Sequence, residues 1–295
     1  MQRTLRVVIE FAEFRIAFEP RRRRAACESN VSQWLGGCAV AVSSWSWIAA
    51  SCKGTSHVRS GTRLQDAQTC FFATLNGGEI VAGIVSDGAG SAAKGGEGAS
   101  LVCWHLKREI REHFASRHEL PDDESIRYWV DRTRDRIFSA AKKRALTPRD
   151  FAATLVLVIS DGSNSLVAHV GDGCAVMKSA ISNEWIAPIW PEQGAYASTT
   201  FFVTDDIEPR LRIARISEDV SAIALFSDGL ERLALDFSAH QPLPQFFEAF
   251  VAPVVNAAGT GRNHALSTQL KSFLNSERVN ARTDDDKSFI LAAKR

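Results

Sequence analysis

Five aspartates, each closing or flanking a short apolar run, recur in order along this chain: RLQDA, VSDGAG, VGDG, LFSDGL and TDDDKS, which carry Asp66, Asp87, Asp172, Asp228 and Asp285. A carboxylate at the end of a buried strand is costly unless a cation meets it. Positions spread this widely over 295 residues therefore call for a fold that gathers distant strand ends at one shared site. Oxygen-only ligands suit Mg2+ and Mn2+.

The apolar runs at 69–75, 80–85, 152–159, 166–170, 222–226 and 288–292 have strand length, and several alternate. Two longer segments have helical spacing. Val102, Leu106, Ile110 and Phe114 repeat every fourth residue, and Ile126, Val130, Thr133, Ile137 and Ala140 follow the three-four rhythm, with Pro121, Asp122 and Asp123 as break and start signal between them. Helices adjacent in sequence, then more strands, then helical stretches at 246–255 and 266–274 predict antiparallel sheets with helices packed outside. A doubly wound nucleotide fold is disfavoured. The Gly-rich stretch at 85–98 has neither GxxxxGK[ST] nor GxGxxG spacing. Asp161-Gly162, between two apolar runs, reads as a hairpin turn.

With 45% hydrophobic and 23% charged residues the chain can build an enzyme-sized core, and its net charge of +1 gives no global pull toward nucleic acid or anionic lipid. Its six cysteines form no CxxC pair, which argues against a zinc knuckle or a disulfide framework and for reduced thiols in a cytoplasm. The N-terminus alternates apolar and charged residues instead of showing a leader's apolar core. Residues 1–40 carry none of the acidic motifs and are read as an extension, with the arginines at 21–24 as a solvated linker; 41–295 is read as one domain. The uncharged stretch at 36–52 is short for a bilayer and is read as a buried strand followed by a turn. The tryptophans, including Trp45, Trp47 and Trp104, are read as core.

Taken together, GTSH with RLQDA, SDGAG, AATLVLVI, LVAHVGDG, FSDGL and DDKSFI resemble, in order, the motifs of the metal-dependent type 2C protein serine/threonine phosphatases, from about residue 45 to 293. The GTSH and QDA opening is similar to a bacterial branch. The resemblance implies an α+β fold, a four-layer α-β-β-α sandwich of two antiparallel sheets flanked by helices, with metals in a cleft at one end. It implies two Mg2+ or Mn2+ ions with a weaker third, and hydrolysis of phosphoserine or phosphothreonine in proteins by a hydroxide bridging the metals, without a phosphoenzyme. By matching position, Asp87 bridges two metals with the Gly88 carbonyl as a further ligand, Asp228 and Asp285 complete one shell, Asp66 serves the other side, and Asp172 with Asp228 holds the third ion. Implied partners are phosphorylated proteins and a cognate serine/threonine kinase.

The chain departs from the family's pattern in three places. Gln65-Asp66 stands where many members have Glu-Asp, Ala89 stands where some have a His able to protonate the leaving alkoxide, and no arginine falls at the usual phosphate-clasping place near Gly61. Arg59 and Arg63 are then the candidate phosphate ligands, with His57 as either a phosphate contact or a structural hydrogen bond. Gln65 and Ala89 keep a second reading open, a catalytically weak or inactive relative that binds phosphoproteins as a regulatory module. A small-molecule phosphohydrolase is the third reading; no DxDxT-like nucleophile motif is present. The segment 185–215, where the resemblance is poorest, is expected to form a flap beside the cleft.

Overall fold

The computed structural model describes residues 45–192, 200–206 and 208–295. The expected N-terminal extension and its arginine run lie outside the described residues, as does part of the expected flap. The first half runs β1 (Trp45–Cys52), α1 (Thr55–Ser60), β2 (Ala67–Leu75), β3 (Gly78–Ser86), α2 (Gly95–Ser116) and α3 (Asp123–Lys143). It is followed by β4 (Leu155–Ser160), β5 (Ser165–Val170), β6 (Cys174–Ser179), β7 (Trp185–Ile189), β8 (Arg212–Ile216) and β9 (Val220–Phe226). The remainder is α4 (Glu231–Ala234), β10 (Leu235–Asp236), β11 (Gln241–Pro242), α5 (Pro244–Asn256), β12 (Gly261–Arg262), α6 (His264–Leu274), α7 (Glu277–Asn280) and β13 (Lys287–Lys294).

The strands form two large sheets, β12-β1-β13-β9-β6-β7 and β2-β3-β4-β5-β8, antiparallel except where β12 meets β1. Period-two alternation decides which layer each residue serves. On β3, Val81 and Val85 point between the sheets with Trp47, Val156 and Ile290, whereas Ile80, Ala82 and Ile84 face α2 and α3. The outer face of the other sheet presents Phe226, Phe289 and Leu291 to Phe246, Phe247 and Phe250 of α5 and to Leu270 of α6. The result is the expected α-β-β-α sandwich.

Helix α3 illustrates how the sequence sets an element. Asp122 caps it by accepting from Ser125 N at 2.8 Å, Asp123 and Glu124 occupy the first turn, and Lys142 and Lys143 the last, which suits the helix dipole. Its Ile126, Trp129, Val130 and Ile137 bury the apolar stripe. The Gly-rich stretch before α2 serves close packing: a Cβ on Gly98 would sit 2.0 Å from the Phe151 carbonyl oxygen, and one on Gly88 would sit 2.2 Å from the Gly95 carbonyl carbon. Gly98→Ala is therefore expected to cost at least about 3 kcal/mol in urea unfolding; a loss under about 1 kcal/mol would show that α2 can retreat freely.

Some expectations shift. The run at 152–159 becomes strand only from Leu155, because Ala153 instead bridges to Gly88. Trp104 is exposed on α2, unlike the buried Trp45 and Trp47. Strands β6, β7 and β8 were not anticipated, and β7 and β8, from within the expected flap, join opposite sheets. Asp161 does turn the chain, its Oδ1 accepting from Ser163 N and Asn164 N. The cysteines among the described residues, Cys52, Cys70, Cys103 and Cys174, are buried and free.

Candidate metal centre

Register explains why distant aspartates meet. Ala67 pairs with Ser86, so Asp66 and Asp87, each one step beyond, lie side by side where β2 begins and β3 ends. Cys174 and Phe289 both pair with Phe226, which brings the β5–β6 turn, the end of β9 and the start of β13 to the same edge. Asp172, Asp228 and Asp285 occupy those three connections. Gly171 at φ 90° and Gly173 at φ 77° place both residues beside Asp172 in the left-handed region, the backbone reversal that turns its carboxylate into the site.

Carboxylate oxygens of Asp87, Asp172 and Asp228 all lie within 4.8 Å of one another. Asp66 is buried and anchored by Ser227, whose hydroxyl donates to Oδ2 at 2.7 Å while accepting from Ser288 N at 2.9 Å. Asp87 is held through its backbone: its N–H donates to Thr154 Oγ1 at 3.0 Å, and its carbonyl accepts from Thr154 N at 2.8 Å. Thr154, read from sequence as a strand residue, is thus the peg that fixes Asp87. Thr200 Oγ1 donates to Asp172 Oδ2.

Withdrawal from solvent pushes the Asp66 carboxyl up to about 6. Desolvation first, and then repulsion from neighbouring aspartates, raises Asp87 and Asp228 well above the usual carboxylate range; Asp172 is raised for the same reasons. Asp66 Oδ1, Asp172 Oδ1, Asp228 Oδ1 and Gln65 Oε1 are buried without hydrogen-bond partners. Hard oxygens left unpartnered and crowded by like charge fit a divalent cation such as Mg2+ or Mn2+.

The remaining expected residues take different places. Asp285 lines the cleft with Asp172 and Asp228, in a cavity of roughly 550 Å3. His57 Nδ1 lies 3.0 Å from Asp286 Oδ1. Arg59 pairs with exposed Asp284 at 3.1 Å, Arg63 is exposed, and neither is among the residues lining the cleft.

Sequence reasoning missed Asp286. Its Oδ1 accepts from Gly54 N and its Oδ2 from Gln65 N, each at 2.6 Å, so one carboxylate pins both ends of the opening motif. Parity was the available signal: Asp286, Ser288 and Ile290 alternate onto the face between the sheets. Glu231 was also missed; it accepts from Gly173 N at 2.8 Å, and burial, with the charge of Asp172, raises it to about 7. His169 is a third, buried on β5. Its Nε2 lies 3.1 Å from the Asp172 carbonyl and its Nδ1 3.4 Å from an Arg212 nitrogen, so it must donate through the first and accept through the second, a neutral ring behind the Asp172 turn.

Carboxylates gathered this tightly at one end of a two-sheet sandwich make an acidic cluster that could hold a metal ion. The family model described as protein phosphatase 2C matches residues 53–275. The chain is 35% identical over 251 residues to serine/threonine-protein phosphatase 3 of Escherichia coli strain K12, covering 84% of this chain and 98% of that protein. It belongs to the protein phosphatase 2C family. Solved structures share the fold: a bacterial serine phosphatase with TM-score 0.58 at 16% identity, covering 84% of this chain and 97% of that one. The Staphylococcus aureus serine/threonine phosphatase Stp1 has TM-score 0.54 at 17% identity, covering 90% and 99%. No helix among the described residues is long and apolar enough to cross a membrane.

Proposed function

We propose that this chain removes phosphate from phosphoserine and phosphothreonine in proteins, with Asp66, Asp87, Asp172, Asp228, Asp285 and the Gly88 carbonyl holding Mg2+ or Mn2+. The carrying observation is the approach of the Asp87, Asp172 and Asp228 oxygens to within 4.8 Å. Two ions with a weaker third accord with that set: Asp87 lies between the Asp66 and Asp228 sides, and Asp172 is held by Thr200 with Oδ1 directed inward.

Divalent cations held there would acidify water and neutralise phosphoryl charge, the chemistry a phosphate monoester needs. The chain's own residues supply position. Ser227 ties Asp66 to the β9–β13 edge, Thr154 fixes the Asp87 backbone, and Gly88 N donates to the Gln65 carbonyl at 3.2 Å, locking the two acidic loops together. Substrates of this kind must come from a protein serine/threonine kinase, the partner class the reading implies.

The test is phosphate release from a phosphothreonine peptide with Mn2+, Mg2+ or EDTA, alongside small phosphate esters. Turnover with metal and none in EDTA is expected, with the peptide preferred. Metal at about a hundred times its dissociation constant stabilises the fold by about 2.7 kcal/mol. That should raise the melting midpoint by roughly 5–10 °C. Folded protein that shows the thermal shift but no turnover at any metal concentration would make the chain a binding module instead.

A further inference from the structure

We propose that Arg232 and Arg282 are the guanidiniums that receive the substrate's phosphoryl group, in place of an arginine from the opening motif. The inference rests on the phosphatase reading and names the residues that make its cleft accept an anion.

A phosphate monoester carries a charge of nearly −2 at neutral pH. The cleft it must enter is lined by Asp172, Asp228, Glu231 and Asp285, and the cations among the described lining residues are Arg232 and Arg282. Both are exposed, so their side chains can reach across the mouth without being drawn from the core. They also approach from two independent elements. Arg232 lies on α4, one turn beyond Asp228, and Arg282 follows α7, just before Asp284 and Asp285. An anion resting over the carboxylate centre would meet one guanidinium from each side.

Arg59 pairs with Asp284, a residue of the cleft rim, but is not itself among the lining residues. Arg212 donates to the Trp190 carbonyl at 2.8 Å, and Arg210 pairs with Glu192 at 2.9 Å. The sequence near Gly61 lacks an arginine at the place where the resemblance expects one, so the cation comes from the far side of the same carboxylates. Guanidiniums suit this work because their fixed fork matches phosphate oxygens in pairs.

The experiment measures kcat and KM on the phosphothreonine peptide, and the inhibition constant of inorganic phosphate, for the full chain with Mn2+. The variants are Arg232→Ala, Arg282→Ala, their double, the two Lys replacements and Arg59→Ala. Each alanine in the cleft is expected to raise KM and the phosphate inhibition constant about tenfold, with lysine recovering part of the loss and the Mn2+ titration midpoint unmoved. Unchanged phosphate constants in the double variant, or a loss that falls on Arg59→Ala instead, would overturn the proposal. Should the wild-type chain prove inactive, calorimetric titration of Mn2+-loaded protein with inorganic phosphate still reads the two arginines. Failure of the phosphatase reading is thereby kept separate from failure of this one.

Discussion

Asp87→Asn and Asp228→Asn are each expected to lower metal-dependent phosphate release by about 10^3-fold or more, because a cation's stabilisation of phosphoryl charge is worth several kcal/mol and about 1.4 kcal/mol is a decade in rate. The same changes should stabilise the metal-free protein. Both carboxylates sit well above their ordinary range in the folded chain, held there by desolvation and by one another. Between the unfolded value near 4 and the folded values, the folded chain binds more protons, so stability in EDTA falls as pH rises through that window. Asp66 contributes up to about 6 and Glu231 up to about 7. Replacing Asp87 or Asp228 removes one source of repulsion and should flatten the decline. Urea melts in EDTA at pH 5 and pH 8 measure it; a variant with the wild-type slope, or with wild-type turnover in Mn2+, would remove that residue from the centre.

Asp286→Ala should be the most destabilising change near the site. It strips the acceptor from Gly54 N and Gln65 N and leaves His57 facing an apolar gap, all around a side chain only 1% exposed. Two buried donors left unpaired cost about 1–3 kcal/mol each, so a loss of about 3–5 kcal/mol is expected in EDTA, with an unchanged urea slope. Asp286→Asn, which retains one acceptor oxygen, should lose roughly half as much. Turnover should fall even in saturating metal, because Gln65 carries Asp66 directly behind it. A loss below about 1 kcal/mol for the alanine variant would mean that water or a neighbouring group replaces the carboxylate.

The layers of the fold were legible because the stripe from Ile126 to Ile137 assigns a helix face, while the continuous apolar run of β3 has the length and two-sided burial of a strand between layers. Where a strand carries charge, the signal fails. CAVMKS of β6 includes buried Lys178, whose ammonium is satisfied by Glu248 at 2.7 Å, and RIARI of β8, at a sheet edge, puts an arginine on each face so that neither reads as apolar. Local pattern cannot see a partner about seventy residues away. The acidic centre was legible as an ordered set, since each Asp closes or flanks an apolar run. Its supports were not. Thr154 and Asp286 act through backbone groups and Ser227 through a contact 161 residues away, none of which sequence spacing ranks, and Asp286 was masked by its neighbour Asp285 in the TDDDKS run.

The position of β13 carries a consequence for how the protein is made. This strand lies between β1 and β9, and the residues entering it supply Asp285 to the cleft and Asp286 to the opening motif. Contacts this distant along the chain close late, after the loop entropy of nearly the whole domain has been overcome. A growing chain on the ribosome can therefore fold its α2–α3 hairpin early while its carboxylate centre stays unassembled. The sheet stays split between β1 and β9, and the proposed centre lacks Asp285, until the last strand has been synthesised.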